Sequence, residues 1–404
     1  MIKIYENCRL CSSSDISTVL NFGESALANS YVKKEDLDSQ EFKAPLEVFK
    51  CNTCGSFQLK HTVDGDLLFK NYLYLSSASP ALQKHFNEYA SHVYDKCKLS
   101  KDSLVIDVGS NDGILLEPFK NLGVKVLGIE PATNVCEIAR ARGCETINDY
   151  FTTNLAKQIK EKADVVTSNN CFAHIDDLKE ILSAVDACLK DDGFFVFENA
   201  YWLDTIKGKY FDQIYHEHIF YHSIKPLLKF LNSNGFSIVD IEKNNIQGGT
   251  IRVYCQKIKY TQNKQIAFDF IKQEEDFGLY DDKEYEKFLA DLNNLKSAFL
   301  QILKAEKDLG KKIACYGAPA KATLFCKFFG LNNKLIDFIV DDSPLKQGLY
   351  LPDLHIPIID KSYISKENPD FIIVTAWNFA DSIIKNNPDY KNKWIIPMPT
   401  IKII

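Results

Sequence analysis

The sequence lacks several features that would place the protein in a different functional class. No apolar run is long enough to span a bilayer, so a membrane protein built from helices is not expected. The 48 basic and 54 acidic residues are mixed along the chain and give a net charge of −6, without a basic stripe or a polybasic cluster. Neither nucleic acid nor an anionic membrane is therefore a predicted partner. Internal repeats and low-complexity tracts are also missing.

An export signal is not expected either, because the start Met-Ile-Lys-Ile-Tyr-Glu-Asn-Cys lacks the apolar core of a signal peptide. We predict a cytoplasmic protein, in which the twelve cysteines are mostly reduced thiols or metal ligands. The length of 404 residues favours two or three domains, and the content of 46% hydrophobic and 25% charged residues is ordinary for a globular protein. The predicted oligomeric state is a monomer or a weak oligomer.

Four of the cysteines form two C-x-x-C pairs, whereas the other eight are scattered singly. The pairs are Cys8 with Cys11 and Cys51 with Cys54. Four thiolates suit tetrahedral zinc, and a site with four protein ligands leaves no position for a reactive water. We predict a structural zinc site, with a redox C-x-x-C or unpaired thiols as alternatives. The long gap between the pairs predicts an inserted hairpin or loop over residues 12–50.

Tyrosine and serine hydroxyls are crowded into residues 68–82. Tyr72, Tyr74 and Ser77 could hydrogen-bond a polyhydroxylated ligand, while the two rings would supply flat apolar contact. The alternative is an aromatic linker that packs on the next domain. From about residue 81 to 98 the apolar positions recur at helical spacing, which predicts a helix leading into a central domain.

The stretch 104–116 has the pattern of a buried strand, a tight turn and the start of a helix. A short apolar run contains Asp107 near its end, Gly109 allows a sharp turn, and Gly113 would allow a ligand to lie close to the backbone. Asn111 lies between the two glycines. We predict that these four residues belong to a cofactor-binding loop.

Further strands of the same region end in polar side chains. The apolar run 124–129 is followed by Glu130, which could accept hydrogen bonds from both ribose hydroxyls of an adenosine. Two later strands end at Asn169 and Asn170 and at Glu198. The alternation of strands and helices predicts a doubly wound, mainly parallel sheet that binds its ligand at the carboxyl ends of the strands.

The cofactor of this sheet is predicted from the glycine spacing. The loop lacks the third glycine of the G-x-G-x-x-G dinucleotide motif and has an acid inside the strand. NAD remains a competitor, because Glu130 would serve either cofactor. The loop resembles that of class I S-adenosylmethionine (SAM) methyltransferases, so SAM is the predicted cofactor.

Three of the eight histidines fall within residues 211–223. A histidine is suited near neutral pH to remove a proton from a carbon nucleophile before methyl transfer, and a nearby tyrosine or carboxylate could orient it. As an alternative, His216, His218 and His222 could bind a metal, since the first two share a face if the stretch is extended. A loop cluster without function is the third possibility.

Residues 265–308 are rich in charged residues and leucine, which predicts helices that connect domains. A second alternation of strands and helices follows, with strands predicted at 311–316, 335–340, 371–375 and 393–396. Pro319 suits a first helical turn, whose free amides would favour an anion. We predict a smaller Rossmann-like domain in which Lys321 holds part of the substrate, although a scaffold role is equally compatible. Arg252 could pair with an anionic group or form a surface salt bridge.

The series of motifs resembles the SAM-dependent sugar C-methyltransferases, which make branched-chain deoxysugars from nucleotide-linked 4-keto sugars. The resemblance runs nearly end to end. It is carried by the two C-x-x-C pairs, Tyr72-x-Tyr-x-Ser-Ser77, Gly109-Ser-Asn-Asp-Gly113, Ala173-His-Ile175, Phe211-Asp212 with Tyr215-His-Glu-His218, Gly248-Gly-Thr-Ile-Arg252, Tyr316-Gly-Ala-Pro-Ala-Lys321 and Asp341-Asp-Ser-Pro-x-Lys-Gln-Gly348. Thr250 stands in place of a more usual serine, and Cys171 and Phe172 replace other apolar residues, so no particular sugar is implied.

This resemblance implies the roles of the catalytic residues. His218 would remove the proton α to the keto group, Tyr215 and Glu217 would support it, and His174 would lie near the sugar or its enolate. The resemblance also implies a structural zinc in the N-terminal domain and tyrosines that help to close the sugar pocket.

The predicted fold is a class I SAM-methyltransferase α/β sheet between an N-terminal zinc-binding domain and a smaller C-terminal Rossmann-like domain. The predicted boundaries are 1–80, 81–260, a helical connection 261–310, and 311–404. The predicted function is C-methylation at the carbon α to the keto group of a nucleotide-linked keto-deoxysugar. An O- or N-methyltransferase on a related sugar nucleotide and a non-catalytic SAM- or nucleotide-binding protein are the alternatives.

Overall fold

The computed structural model describes residues 1–69 and 75–404. Within these residues the strands are β1 Ile2–Ile4, β2 Ile16–Ala26, β3 Lys43–Cys51, β4 Phe57–Leu59, β5 His61–Val63, β6 Leu104–Val108, β7 Lys125–Ile129, β8 Thr146–Ile147, β9 Ala163–Asn169, β10 Leu189–Ala200, β11 Phe220–Tyr221, β12 Phe236–Asn244, β13 Thr250–Lys257, β14 Ile313–Tyr316, β15 Phe338–Val340, β16 Ile358–Ile359, β17 Phe371–Val374, β18 Trp394–Ile396 and β19 Lys402–Ile403. The α-helices are α1 Gly65–Phe69, α2 Pro80–Lys96, α3 Leu116–Asn121, α4 Thr133–Ala141, α5 Thr153–Gln158, α6 Leu178–Cys188, α7 Trp202–Lys207, α8 Ile224–Ser233, α9 Gln265–Phe277, α10 Asp282–Asp308, α11 Ala322–Phe329, α12 Ser362–Glu367 and α13 Ala380–Lys385.

The N-terminal region is built on an antiparallel sheet with the strand order β11-β4-β3-β2. Its β2–β3 hairpin fills the gap between the two cysteine pairs, as the spacing predicted. The short strand β11 lies far along the sequence, within the histidine-rich stretch, and pairs with β4 through Phe220 opposite Gln58. The segment that contains the predicted base therefore leads directly into an edge strand of the cysteine-bearing sheet.

The central sheet has the strand order β12-β13-β10-β9-β6-β7-β8 over the described residues. Strands β6 to β10 are parallel to one another, and β13 runs antiparallel between β10 and β12. All five residues of β6 are buried, because helices cover both faces of a parallel sheet. The doubly wound, mainly parallel sheet is confirmed, and the carboxyl ends of β6, β7, β9 and β10 meet at one edge.

The C-terminal region forms a second α/β sheet with the order β16-β15-β14-β17-β18-β19 between residues 313 and 404. Its pairs are parallel except for β19, which confirms the second Rossmann-like alternation. Helices α9 and α10 precede it, and α10 packs on β2 and α11. No helix among the described residues is both long and apolar enough to cross a membrane.

One local prediction in this region is wrong. Pro319 lies in the loop before α11, which begins at Ala322, rather than in a first helical turn. The carbonyl of Pro319 accepts the N–H of Ala322, and the carboxylate of Asp341 accepts the N–H of Ala318 at 2.7 Å. The turn that was expected to offer amides to an anion is thus partly closed by an acid of the protein.

Candidate active site

The four cysteines of the two C-x-x-C pairs come together in one cluster. Their sulfur atoms all lie within 4.8 Å of one another, with 3.7 Å between Cys8 and Cys54 and 3.5 Å between Cys11 and Cys51. A tetrahedron with zinc–sulfur bonds of about 2.3 Å places its sulfurs about 3.8 Å apart, so the four thiols fit Zn²⁺. The spacing is too long for disulfides, and all four cysteines are free. The cluster would therefore hold a structural zinc ion with four thiolate ligands.

Two side chains connect this cluster to the predicted catalytic segment. Gln58 donates to the sulfur of Cys8 at 3.0 Å and accepts from the Nε of Arg9 at 3.0 Å. The guanidinium of Arg9 reaches Asp176 at 3.1 Å and the carbonyl of Ile219 at 3.5 Å. Asp176 is two residues from His174, and Ile219 follows His218. The cysteine cluster consequently supports both histidines through two intermediate side chains.

The predicted cofactor loop lies at the carboxyl end of β6. Gly109 has φ +72°, and a Cβ built there would lie 2.5 Å from the sulfur of Cys171. Only glycine fits this turn, for steric as well as conformational reasons. Gly113 has φ +81°, and a Cβ built there would lie 3.3 Å from the Cβ of Ala139 in α4 and 3.5 Å from that of Cys144. The close approach expected at Gly113 is therefore to a helix of the protein, whereas Gly109 lines the cavity.

Glu130 stands at the end of β7, as the sequence predicted. Its two carboxylate oxygens each accept one backbone N–H, from Asn111 at 3.0 Å and from Ala132 at 2.9 Å. Each oxygen keeps lone pairs for a ligand, and burial raises the pKa of this carboxyl. Glu130 lines the cavity beside the apolar side chains of Pro131 and Phe151, a combination that fits a ribose and an adenine ring.

The other predicted cofactor residues divide into two groups. Asn111, Asn169 and Asn170 line the cavity. Asp107 does not, because its carboxylate accepts from the hydroxyl of Thr167 at 2.6 Å behind the loop. Burial raises the pKa of Asp107 to about 7. Asp107 therefore contacts the neighbouring strand β9 and not the cavity.

Ser77, which precedes α2, contacts the cofactor loop. The N–H of Ser77 donates to the carboxylate of Asp112 at 3.2 Å, and the guanidinium of Arg142 donates to the hydroxyl of Ser77 at 2.6 Å. Ser77 does not line the cavity, so the geometry connects it with the loop rather than with a substrate. Tyr72 and Tyr74 lie outside the described residues.

His218 lies in the cavity with one ring nitrogen committed to the backbone. Its Nδ1 is 2.7 Å from the carbonyl of Gln213, so Nδ1 carries the hydrogen and Nε2 carries the lone pair. Nε2 makes no hydrogen bond within the described part of the chain. Burial lowers the pKa of His218 to about 4. The ring is thus neutral near pH 7 and able to accept a proton at Nε2.

Aromatic rings hold His218 from two sides. The ring of Tyr215 lies at 4.1 Å and that of His174 at 4.9 Å, measured between centroids. His174 is also neutral, because burial and the neighbouring histidines hold its pKa well below the usual value. Glu217 is buried, and its carboxylate accepts from the amide of Asn29 at 2.7 Å. Glu217 therefore ties the segment to the N-terminal region and does not itself line the cavity.

The structure gives no support to a histidine metal site. Within the described residues, the four cysteines are the only group of three or more potential ligands close enough to bind one ion. His216 lies 3.0 Å from the carbonyl of Ala44, and His222 stacks on Phe172 at 5.4 Å. Only His218 of the three lines the cavity. The segment turns at 215–218 instead of running extended, so His216 and His218 do not share a face.

Arg252 and Glu198 neutralise each other in the interior. The guanidinium contacts the Glu198 carboxylate at 2.9 Å and covers the ring of Tyr89 at 3.8 Å, and His85 lies 2.6 Å from the same carboxylate. Neither Arg252 nor Glu198 lines the cavity. Their geometry offers no support for the predicted contacts with substrate and cofactor, because each charge already has a protein partner.

Lys321 lies at the boundary between the C-terminal region and the catalytic segment. Its Nζ is 3.2 Å from the carboxylate of Asp212 and 4.0 Å from the centroid of the Trp377 ring. Burial lowers the pKa of Lys321, and Asp212 opposes that shift. Lys321 lines the cavity, so it remains within reach of a ligand although its charge is paired.

A single cavity of about 1630 Å³ joins these parts. It extends from the cofactor loop past His218 to the first turn of the C-terminal sheet, where Tyr316 and Asp342 line it. Several lining residues were not predicted, including Asn199 and Gln213. The position of Asn199 directly after Glu198 at a strand end was the signal that could have identified it, because ligands of such sheets bind there.

The comparisons with known proteins cover the whole chain. Residues 8–69 match a family model described as a putative zinc binding domain, residues 82–241 a methyltransferase domain, and residues 245–399 a C-methyltransferase C-terminal domain. C-methyltransferase NovU of Streptomyces niveus is 31% identical over 411 residues, which cover 100% of this chain and 98% of that protein.

Other relatives match a smaller share of the chain. Ubiquinone biosynthesis O-methyltransferase of Rhodopseudomonas palustris is 31% identical over 129 residues, covering 30% of this chain and 51% of that protein. The solved magnesium protoporphyrin IX methyltransferase of Synechocystis PCC 6803 with bound SAM is 14% identical, with a TM-score of 0.34, over 43% of this chain and 79% of that one.

The end-to-end similarity agrees with the three-part architecture, the cysteine cluster and the cofactor loop. SAM is confirmed as the cofactor and zinc as the structural metal. The chain belongs to the C-methyltransferase family that includes NovU, and it is a SAM-dependent methyltransferase.

Proposed function

We propose that the protein transfers a methyl group to the carbon next to the keto group of a nucleotide-linked keto-deoxysugar, with His218 as the base. The observation that carries this proposal is the state of His218. Its Nδ1 donates to the carbonyl of Gln213, its Nε2 has no hydrogen-bond partner among the described residues, and the ring lines the same cavity as the cofactor loop. A carbon acceptor needs such a base because it becomes a nucleophile only after deprotonation.

The reaction divides into a proton transfer and a carbon–carbon bond formation. Bound SAM supplies an electrophilic methyl group. His218 takes the proton at Nε2, and the electron pair of the broken C–H bond moves onto the carbonyl oxygen as an enolate. The enolate carbon would then take the methyl group from the sulfonium sulfur of SAM, which would leave as S-adenosylhomocysteine, and His218 would pass its proton to solvent. The Gln213 carbonyl stabilises the imidazolium formed in between, while Tyr215 and His174 keep its ring oriented.

The size of the cavity supports a second ligand of nucleotide size. A pocket for one small ligand has a volume of about 300–1,000 Å³, and this cavity has about 1630 Å³. At its C-terminal end, Asp342 offers carboxylate oxygens, and the exposed ammonium of Lys361 is available to a phosphate. We assign the nucleotide of the substrate to this end, with Lys321 between it and the sugar.

Hydrogen exchange at the substrate tests this proposal. In deuterated buffer without SAM, the wild-type protein should exchange the hydrogen next to the ketone of a suitable sugar nucleotide, observed by NMR. His218→Asn should abolish exchange and methyl transfer while S-adenosylhomocysteine binds within about threefold of wild type, since the asparagine amide can still donate to Gln213. His92→Asn, an exposed histidine on α2, is the matched control. Methyl transfer to oxygen or nitrogen without exchange would contradict C-methylation.

A further inference from the structure

Asn199 has a buried amide group that its protein neighbours satisfy only in part. It lies at the end of β10, is 2% exposed, and lines the cavity. Its Oδ1 accepts the N–H of Ala173 at 3.3 Å, which fixes the orientation of the amide, because the N–H must face the oxygen. Its Nδ2 is buried and has no partner among the described residues.

A buried donor without a partner is costly, at about 1–3 kcal/mol, and its presence in a folded protein calls for an explanation. Asn199 borders the cavity, and Nδ2 is the one polar atom of its side chain that is left unpaired. A ligand in the cavity is therefore the partner that would satisfy it. The chemistry of Nδ2 restricts this partner to a hydrogen-bond acceptor.

One residue, Ala173, connects Asn199 with the segment that contains the base. The N–H of Ala173 bonds to Asn199, and the carbonyl of Ala173 accepts the N–H of Ile219 at 2.9 Å. His174 follows Ala173 in the chain, and His218 precedes Ile219. Ala173 thus links the side chain of Asn199 to the segments that contain the two stacked histidines, through one hydrogen bond to a side chain and one to the backbone.

Enolisation creates a requirement that this donor meets. When the C–H bond breaks and its proton passes to Nε2 of His218, the electron pair moves to the carbonyl oxygen, which becomes anionic. The acids near the site, Glu130 and Asp176, are acceptors and would repel that oxygen. An asparagine amide donates at every pH and carries no charge that would disturb the neutral base.

We propose that Asn199 is a further catalytic residue, whose Nδ2 donates a hydrogen bond to the keto oxygen of the substrate and stabilises the enolate. This inference rests on the proposed function. Loss of one preorganised donor to an oxyanion typically reduces turnover about 10²–10³-fold, and an effect of this size is expected here.

Asn199→Asp is the decisive variant, because it keeps the shape and the oxygen that accepts from Ala173 but replaces the donor by a carboxylate. Deuterium exchange without SAM and kcat should fall about 100-fold near pH 7, with KM and the affinity for S-adenosylhomocysteine within about threefold of wild type. Protonation of the aspartate restores an O–H donor, so the ratio of wild-type to variant exchange rate should shrink as the pH is lowered. Asn87→Asp, on the exposed face of α2, controls for the added charge.

The outcomes separate this inference from the proposed function. If the wild type exchanges and Asn199→Asp exchanges at the same rate, the role of Asn199 is overturned and the proposed function stays intact. A ratio of the two exchange rates that does not change with pH would have the same meaning. Absence of exchange in the wild type would overturn both. Should Asn199→Asp have a lowered melting temperature, Asn199→Ala provides the second measurement, and exchange at the wild-type rate in that folded variant would also contradict the role.

Discussion

The ammonium group of Lys321 lies 3.2 Å from the carboxylate of Asp212, so a buried ion pair joins the C-terminal sheet to the segment that contains His218. Asp212 is fully buried and also accepts a hydrogen bond from the indole of Trp377 at 2.6 Å. One carboxylate thus holds two side chains of the C-terminal region. Because Asp212 is three residues before Tyr215, this contact ties the segment that contains His218 to the C-terminal region.

Breaking that pair should destabilise the protein strongly. Asp212→Asn leaves the lysine charge buried without its partner and should lower the free energy of unfolding by about 3–5 kcal/mol, measured by urea denaturation. Adding Lys321→Met should recover part of this loss. Lys272→Met, which removes an exposed pair with Asp276 on α9, is the matched control and should leave the urea midpoint nearly unchanged. Equal effects of Asp212→Asn and Lys272→Met would show that the buried pair does not stabilise the interface.

Removal of zinc should disrupt catalysis more than cofactor binding. Cys8→Ser is expected to lose the metal, measured by atomic absorption, and to reduce methyl transfer at least tenfold, because β4 and Gln58 position the segment that contains His218. Binding of S-adenosylhomocysteine should persist, since β6 and β7 belong to a different sheet. Cys97→Ser, at the end of α2, is the matched control. Full activity of a zinc-free protein would refute this coupling.

The two glycines at positions 109 and 123 allow conformational strain to be separated from steric fit. Both have positive φ, but a Cβ at Gly109 would meet the Cys171 sulfur at 2.5 Å, whereas one at Gly123 meets nothing within 4 Å. Gly123→Ala should cost only about 1 kcal/mol of stability. Gly109→Ala should in addition weaken S-adenosylhomocysteine binding at least tenfold by calorimetry, since Cys171 or the loop must shift. Similar affinities in the two variants would contradict a tight fit at Gly109.

The acid limb of the activity profile reports on the base. His218 has a pKa lowered to about 4 by burial, and it must be neutral to accept a proton. The acid limb of kcat/KM is therefore expected near pH 4–5, and activity should be level between pH 6 and 8 as far as this group is concerned. An acid limb near pH 6.5 in the wild-type protein would instead assign an ordinary pKa to this histidine.

The buried histidines also predict a pH dependence of stability. His222 has a pKa lowered to about 3 by burial, against about 6.5 in the unfolded chain. Between these values the unfolded state binds a proton that the folded state does not, so the contribution of His222 to stability is lost as the pH falls below about 6.5. His222→Gln should therefore show a smaller loss of melting temperature between pH 7 and 5 than wild type. An identical loss would contradict a depressed pKa.

Patterns within short stretches predicted much of the fold. The apolar run before Gly109, the acid after β7 and the two C-x-x-C pairs each depend on neighbouring residues, because strands, turns and metal knuckles are local structures. The sequence therefore indicated the doubly wound sheet, the SAM site and the cysteine cluster. The motif around His218 identified the candidate base through a resemblance, and its role as a base stays a prediction.

Long-range contacts decided which polar residues are available to a ligand. Arg252 and Glu198 looked equally suited to bind substrate and cofactor, yet strand pairing between β10 and β13 places them opposite each other, where they neutralise one another. Asn199, one residue beyond Glu198, points to the other face of the same strand and is the one of the two that lines the cavity. The sequence by itself determined the cofactor-binding fold and which reactive side chains the protein has. Only the tertiary structure decided which of those side chains are already paired, because the partner of a charge or a donor can lie far away in the sequence.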